Sequence, residues 1–182
     1  MNRRDFIKLT AIAGIGLSIP RNFDSFIAPA EAAEKIDLAV AHGVSPSKIT
    51  RAAIDAMGGM KKFVSKGDIV VVKPNIAWDR TPEQAGNTNP EVVGVVVRMC
   101  YEAGAKKVKV FDRPVNDPRR CYVQSGIADA AKAAGADVSY IDERKFKEMN
   151  IKGEALKSWP LYTEVFEADK VINIPIAKHH GL

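Results

Sequence analysis

Three stretches of the sequence place polar side chains directly after an apolar run, and these residues suit acid–base or anion chemistry. They are Lys73 and Asn75; Asp112 and Arg113; and Lys178, His179 and His180. Pro74 and Pro114 stand beside the first two groups. Because proline cannot donate to a β-ladder, it marks where a strand stops. Lysine and arginine bind phosphates and carboxylates, a lysine of lowered pKa can act as a base, and histidine can move protons or bind a metal.

The apolar runs before these residues predict strands of a parallel sheet. Asp68 to Asn75 contains an Ile and three Val in succession, which is too continuous for a strand with one wet face. Strands are also predicted over Lys107–Phe111, Asp137–Asp142 and Asp169–Ile176, and a first strand over Lys35–Ala41 ends at His42. The carboxyl ends of parallel strands meet at one edge, where open α/β sheets bind ligands. We therefore expect the polar groups to form one rim.

Helix signals alternate with the strands. Ser45-Pro46, Asn89-Pro90 and Asn116-Asp117-Pro118 are each typical of an N-cap followed by proline in the first turn. The third of these helices is predicted to break at Ser125-Gly126. The alternation predicts an α/β protein with a Rossmann-like three-layer fold and a mainly parallel sheet. The positive amino ends of the helices would point at the same rim.

The segments without periodicity carry separate expectations. The loop from 76 to 88 is long enough that we expect it to have a functional role. The segment from 145 to 162 is irregular, with short edge strands predicted near Met149–Lys152 and Leu161–Tyr162. The chain stops directly after the last predicted strand, so we expect an amino-terminal fragment whose sheet is incomplete at its carboxyl end.

Composition and motifs exclude several classes of protein. The 182 residues carry a scattered net charge of +5, and no basic run is interleaved with aromatic residues, so nucleic acid is not an expected partner. Cys100 and Cys121 lack metal-finger spacing, and we expect two buried thiols rather than a disulfide. The patterns GxGxxG, GxxxxGK[ST] and GxSxG are absent, which disfavours standard dinucleotide, P-loop and serine-hydrolase sites.

The amino terminus resembles a twin-arginine export signal. Arg3 and Arg4 precede a short run rich in Ala and Gly, and small-x-small cleavage patterns follow at Ala28-Pro29-Ala30 and Ala30-Glu31-Ala32. The alternative is an amphipathic helix with a chance arginine pair. The interpretation predicts a signal over 1–33 and a mature α/β domain over 34–182. It also predicts the twin-arginine translocation machinery as a partner, a periplasmic or other extracytoplasmic location, and no stable membrane span after cleavage.

Several motifs together resemble one protein family. VVVKPN, FDRP, SGI followed by AAGADV, and EADKVINIPIAKHHGL look like the family catalogued as domain of unknown function 362, over about residues 36 to 182. Some members carry ferredoxin-like iron–sulfur segments, but two cysteines cannot hold a cluster that takes four. The family's activity is not established. The resemblance therefore implies a fold and a set of strand-end motifs, not a reaction.

Two functions fit these residues. In the first, the rim binds a small anionic ligand and has an enzymatic role: Lys73 and Lys178 bind or activate the anion, and His179 moves protons. The remaining substrate-binding candidates are Asn75, Asp112, Arg113, His42 and His180. In the second, the protein is a non-catalytic binding or accessory partner of an exported redox enzyme or metalloenzyme. The sequence identifies no metal and no cofactor.

Overall fold

The computed structural model describes residues 36 to 179, so the predictions for Arg3, Arg4 and His180 lie outside the described residues. The strands are β1 (Ile69–Pro74), β2 (Lys107–Val110), β3 (Asp137–Val138), β4 (Phe146–Asn150), β5 (Ser158–Tyr162) and β6 (Lys170–Ile174). The α-helices are α1 (Pro46–Ala56), α2 (Pro90–Ala103), α3 (Pro118–Gln124), α4 (Ile127–Ala133) and α5 (Thr163–Phe166). Short 3-10 turns lie at Met60–Lys62, Pro82–Gln84 and Glu143–Lys145.

Four of the strands form one parallel sheet in the order β3-β2-β1-β6. In its centre β1 pairs with β2 on one side, Val71 opposite Lys109, and with β6 on the other, Val71 opposite Val171. The three strands therefore run in the same direction, and their carboxyl ends share one edge. The predicted α/β class with a Rossmann-like, mainly parallel sheet is confirmed.

The two faces of the sheet have different cover. On the first face α2 and α4 pack against the alternate side chains of β1 and β2, such as Val70, Val72, Val108 and Val110, all fully buried. On the second face Val71 and Phe111 pack with Tyr162, at the end of the antiparallel hairpin formed by β4 and β5. The second face has less cover than the first, and Lys73 of β1 and Val171 of the edge strand β6 are exposed on it.

Capping residues set the points at which the helices begin and end. Asn89 caps α2 by accepting a hydrogen bond from the Glu91 N–H at 2.8 Å, and Gly104 ends the helix with φ of 105°. A left-handed φ of this kind favours glycine because it has no Cβ. The predicted break at Ser125-Gly126 separates α3 from α4. Among the described residues, no helix combines the length and the apolar character needed to cross a membrane.

One strand prediction is wrong and another is too long. The described part of the first predicted strand, 36 to 41, is not a strand: Leu38 and Val40 are 78% and 87% exposed, and no strand of the described chain pairs with the segment. A strand needs a ladder partner, and an apolar alternation does not supply one. The fourth predicted strand shrinks to β3, since it pairs only with the last two residues of β2.

Candidate functional site

The best-defined polar contact at the carboxyl edge of the sheet joins β1 to the residue that follows Phe111. Lys73 Nζ lies 2.9 Å from Asp112 Oδ1, while Asp112 Oδ2 accepts the Ile76 N–H at 2.7 Å. The Asp112 side chain is 7% exposed and that of Lys73 is 45% exposed. The carboxylate is thus fixed in the protein, and the ammonium group extends from it into solvent.

Asn75 follows Lys73 on the same edge and is held by its backbone. Its N–H donates to Thr88 Oγ1 at 2.8 Å, its carbonyl accepts from the Thr88 N–H at 2.9 Å, and the Thr88 hydroxyl donates to the Ile174 carbonyl at 2.7 Å. Thr88 therefore ties the end of β1 to the end of β6. Within the described chain the Asn75 side-chain amide has no hydrogen bond, so its donor and acceptor remain open to a ligand.

The loop from 76 to 88 is ordered by its own side chains. Asn87 is buried, accepts the Trp78 N–H at 3.0 Å and donates to the Trp78 carbonyl at 2.8 Å. Lys178, beyond β6, donates from Nζ to the Gly86 carbonyl at 2.6 Å and lies 5.7 Å from the centre of the Trp78 ring. The two strand ends that carry Lys73 and Lys178 are thus linked through this loop.

Arg113 points away from this group. It pairs with Glu143 at 3.0 Å and lies 5.3 Å from the centre of the Phe146 ring, so its guanidinium is directed toward the hairpin. A role as a substrate-binding residue would require breaking that exposed pair. The Arg113 guanidinium is therefore engaged in an ion pair, whereas the sequence suggested that its N–H donors would be available to a substrate.

The two described histidines are exposed, and no contact joins either one to Lys73 within residues 36 to 179. His42 lines a cavity of about 420 Å³ formed by residues between 41 and 52. His179 follows Lys178 at the end of the described chain. No group of three or more His, Cys, Asp or Glu able to hold a metal ion occurs in the part of the chain that the structure describes.

The charges at this edge leave a modest positive excess. Lys73 is balanced by Asp112, and Arg113 by Glu143, whereas Lys178 contacts a carbonyl and an aromatic ring. Among these side chains one positive charge is therefore not matched by a carboxylate. The lysine ammonium has three donors, and Lys73 uses one on Asp112 and directs another at the Pro74 carbonyl at a longer 3.3 Å. An anion can take the donor that remains.

Sequence reasoning missed Thr88, Asn87 and Tyr122 as supports of this edge. The Tyr122 hydroxyl accepts the Asp112 N–H at 2.8 Å, and its one proton has the Asp112 and Ser139 carbonyls as acceptors, each at 3.0 Å. Burial raises the pKa of this phenol, so it stays neutral and able to donate. The only signal for these residues was their position: two stand just before an N-cap and one lies on the apolar side of α3.

A large apolar groove lies beside the rim, not over Lys73. It has a volume of about 700 Å³ and is lined by α1, α2 and β6, with apolar residues such as Ile54, Val92 and Ile172. Thr88 and Asn173 border it at the strand ends. The rim at Lys73 is therefore an open surface in the described chain, and the groove is a separate apolar feature on the first face of the sheet.

The cysteines are free and buried, as predicted. Burial raises the pKa of the Cys100 thiol to about 12, and it also raises the pKa of Cys121, where Asp79 contributes. Thiols in this state are poor nucleophiles near neutral pH. Neither cysteine is therefore a candidate for catalysis.

Comparison with known proteins agrees with the motifs at the strand ends. The sequence profile of the family described as domain of unknown function (DUF362) matches residues 70 to 182. The thylakoid-associated protein sll1697 of Synechocystis sp. is 29% identical over 131 residues, which cover 72% of this chain and 40% of that protein. The chain thus spans about 40% of the length of this relative. No solved structure matches the chain. Because the matched region contains β1, β2, β6 and all the strand-end motifs after them, the chain belongs to the DUF362 family.

Proposed function

We propose that this chain is an exported protein that binds a small anion at the carboxyl ends of β1, β2 and β6. Lys73 supplies the binding ammonium, Asp112 orients it, and the free Asn75 amide contributes the second polar contact. Lys178 adds a positive charge that no carboxylate balances within residues 36 to 179. The observation that carries the proposal is the exposed Lys73 ammonium, fixed by a buried carboxylate beside an amide with no hydrogen bond in the described chain.

Fixing a lysine in this way favours binding. A free lysine side chain loses up to about 2 kcal/mol of rotamer freedom when it is immobilised. The contact with Asp112 restricts the side chain before a ligand arrives, while 45% of it stays exposed to solvent. The affinity expected from one exposed ammonium and one amide is modest, because solvent screens an open site.

Export is the second part of the proposal. It is supported by the arginine pair and the cleavage patterns of the first 33 residues, which lie outside the described chain. The relative from Synechocystis is named as thylakoid-associated, which is consistent with a protein that works at or beyond a membrane. The translocation machinery of the twin-arginine pathway would be its first partner. A fusion of residues 1–35 to a reporter that folds in the cytosol tests this, with Arg3→Lys/Arg4→Lys as the matched control; equal export of both would refute it.

The binding test compares Lys73→Ala with Lys107→Ala. The two lysines are matched: Lys107 is 46% exposed and pairs with Asp137 at 2.7 Å, but it stands at the amino end of β2, away from the rim. Phosphate, sulfate and acetate are titrated into each protein by calorimetry or NMR. We expect Lys73→Ala to lose at least about tenfold in affinity, which corresponds to one charged hydrogen bond, and Lys107→Ala to bind normally. Equal affinities of the two variants would refute the site.

The proposed anion site fits the enzymatic role that the sequence suggested. It also fits a second candidate function, a non-catalytic role as in an accessory protein of an exported redox enzyme or metalloenzyme. One observation favours it: no contact joins His42 or His179 to Lys73 within the described residues, so the pair of Lys73 and Asp112 stands without the predicted proton shuttle. An accessory protein would release a bound compound unchanged and in stoichiometric amount. An enzyme would convert it repeatedly, and its conversion rate would fall in Lys73→Ala. Incubation with candidate anions followed by mass spectrometry distinguishes the two.

A further inference from the structure

The hairpin formed by β4 and β5 has one face that the rest of the described chain covers only in part. Its inner face packs on the sheet through Phe146 and Tyr162, whose ring centres are 5.3 Å apart. In an antiparallel pair successive side chains alternate between faces. The residues at odd positions along both strands therefore lie on the opposite, outer face, where the register pairs Lys147 with Leu161 and Met149 with Trp159.

The outer face is apolar at its centre and basic at its edges. The hydrogen bond from the Ile151 N–H to the Lys157 carbonyl, at 3.0 Å, continues the pairing by one more step. Trp159 is 51% exposed and Ile151 is 41% exposed, although both are large and hydrophobic. We call this set the outer face of the hairpin; it consists of Lys147, Met149, Ile151, Lys157, Trp159 and Leu161.

The charge on this surface has one sign. The outer face carries two lysines and no acidic residue. Glu148 belongs to the other face of β4, where it accepts a hydrogen bond from the Ser158 hydroxyl. Glu154 lies in the turn, next to the exposed Lys152 and Leu156. A partner for the outer face should therefore carry negative charges on its surface and have an apolar interior beneath them.

The size of the face argues against a stable protein partner. A specific protein interface uses about 20 to 30 residues on each side, and the outer face offers six. A lipid surface needs no such area, because Trp, Leu and Ile enter the boundary between headgroups and acyl chains while lysines contact anionic headgroups. We propose that the outer face of this hairpin docks the protein on an anionic lipid bilayer, with Trp159 inserted at the level of the headgroups and Lys147 and Lys157 on either side.

The hairpin is well placed for such contact. It is attached to the sheet by Tyr162 and by Glu164, which is buried and accepts hydrogen bonds from Lys109, at 3.1 Å, and from Lys145. The hairpin is thus anchored on the second face of the sheet, and its outer face points away from that anchor. Binding of this kind is peripheral and needs no spanning helix.

Quenching of tryptophan emission by brominated lipid tests the proposal on the full chain. The protein has two tryptophans, and Trp78 lies in the loop beside Lys178, so Trp159 is the one expected to reach lipid. Vesicles of brominated phosphatidylcholine with phosphatidylglycerol should quench the wild type but not Trp159→Ala, which keeps Trp78 as an internal reference. Residues 1 to 35, which include the predicted export signal, contain no tryptophan, so their own binding to lipid gives no signal.

Charge variants give the second readout. The partition coefficient of Lys147→Glu/Lys157→Glu should fall at least about thirtyfold on anionic vesicles, because each basic residue near such a surface contributes roughly a factor of five. The matched control is Lys61→Glu/Lys132→Glu, which changes two exposed lysines on the helical face of the sheet and should retain the binding of Trp159 to lipid. Binding by wild type should also weaken as salt is raised.

Three results would overturn the proposal. The first is equal quenching of Trp159→Ala and wild type, which would place another part of the chain in the lipid. The second is equal binding to neutral and anionic vesicles, which would remove the role of the lysines. The third is a Trp159 emission that is already shifted to the blue without lipid and depends on protein concentration, which would identify a second copy of the chain as the occupant.

Discussion

Replacing Thr88 by valine should loosen the carboxyl edge of the sheet more than any exposed substitution there. Valine has nearly the shape of threonine but no hydroxyl. The change therefore removes the acceptor of the Asn75 N–H and the donor to the Ile174 carbonyl, bonds of 2.8 and 2.7 Å, from a side chain that is 5% exposed. The backbone bond from the Thr88 N–H to the Asn75 carbonyl remains.

The size of the effect follows from the two groups left without partners. A buried hydrogen bond contributes about 1 kcal/mol net, and a buried donor or acceptor left unsatisfied costs about 1 to 3 kcal/mol. Because solvent reaches the end of β6, where Ile174 is only partly buried, we expect the lower half of that range for its carbonyl. Thr88→Val should thus lower the free energy of unfolding by about 2 to 4 kcal/mol.

Thr88→Ser is the matched control, since it keeps the hydroxyl and removes one methyl group. It should cost about 1 kcal/mol, the value of one buried methyl or methylene. Urea unfolding followed by circular dichroism measures both variants, and hydrogen exchange at the Asn75 amide reports the local effect. If Thr88→Val is no less stable than Thr88→Ser, or if the Asn75 amide exchanges equally in both, the hydroxyl bridge between β1 and β6 does not stabilise this edge.

Two further predictions concern buried ionisable groups. Burial alone would raise the pKa of Glu164, but hydrogen bonds from Lys145 and Lys109 outweigh burial, and the pKa is lowered. The stabilising effect of the Glu164 carboxylate is therefore full above about pH 4.5. It is lost as the pH falls through the folded-state pKa. Urea titrations across that range should show the stability advantage of wild type over Glu164→Gln shrinking with acid, and an advantage that grows instead would contradict this assignment. Cys100 and Cys121, with raised pKa values and buried thiols, should react with a disulfide reagent near pH 8 only after unfolding. Fast labelling of the native protein would show that the region around α2 and α3 opens.

The sequence predicted the central elements because their patterns are local. The Ile and Val run before Lys73 has the composition of a strand buried on both faces, and β1 is buried on both. Asn89-Pro90 and Gly104 specify the two ends of α2 by cap chemistry that depends only on neighbouring residues. The segment from 36 to 41 shows the limit of this reasoning, since its alternation is real but a strand also requires a pairing partner.

The site was predicted less completely than the fold. Lys73, Asn75 and Asp112 were expected on one edge because parallel strands bring their carboxyl ends together, and the structure joins Lys73 to Asp112. That Arg113 would turn to Glu143 and Phe146 could not be read from its position beside Asp112. Its partner lies 30 residues further along the chain, in a 3-10 turn that leads into the hairpin.

What the sequence determined by itself is therefore the central strands, the capped helices and the edge on which Lys73, Asn75 and Asp112 gather. Strand composition, helix caps and proline stops depend only on residues close in the sequence. Because the strands of the sheet are parallel, their carboxyl ends then meet at one edge. Only the tertiary structure decided which contacts form between segments that are far apart in the sequence. Contacts between distant segments determine that Thr88 bridges β1 to β6 and that Lys178 reaches the Gly86 carbonyl. They also determine that Trp159 stays half exposed. Such contacts are set by packing, which no local pattern encodes.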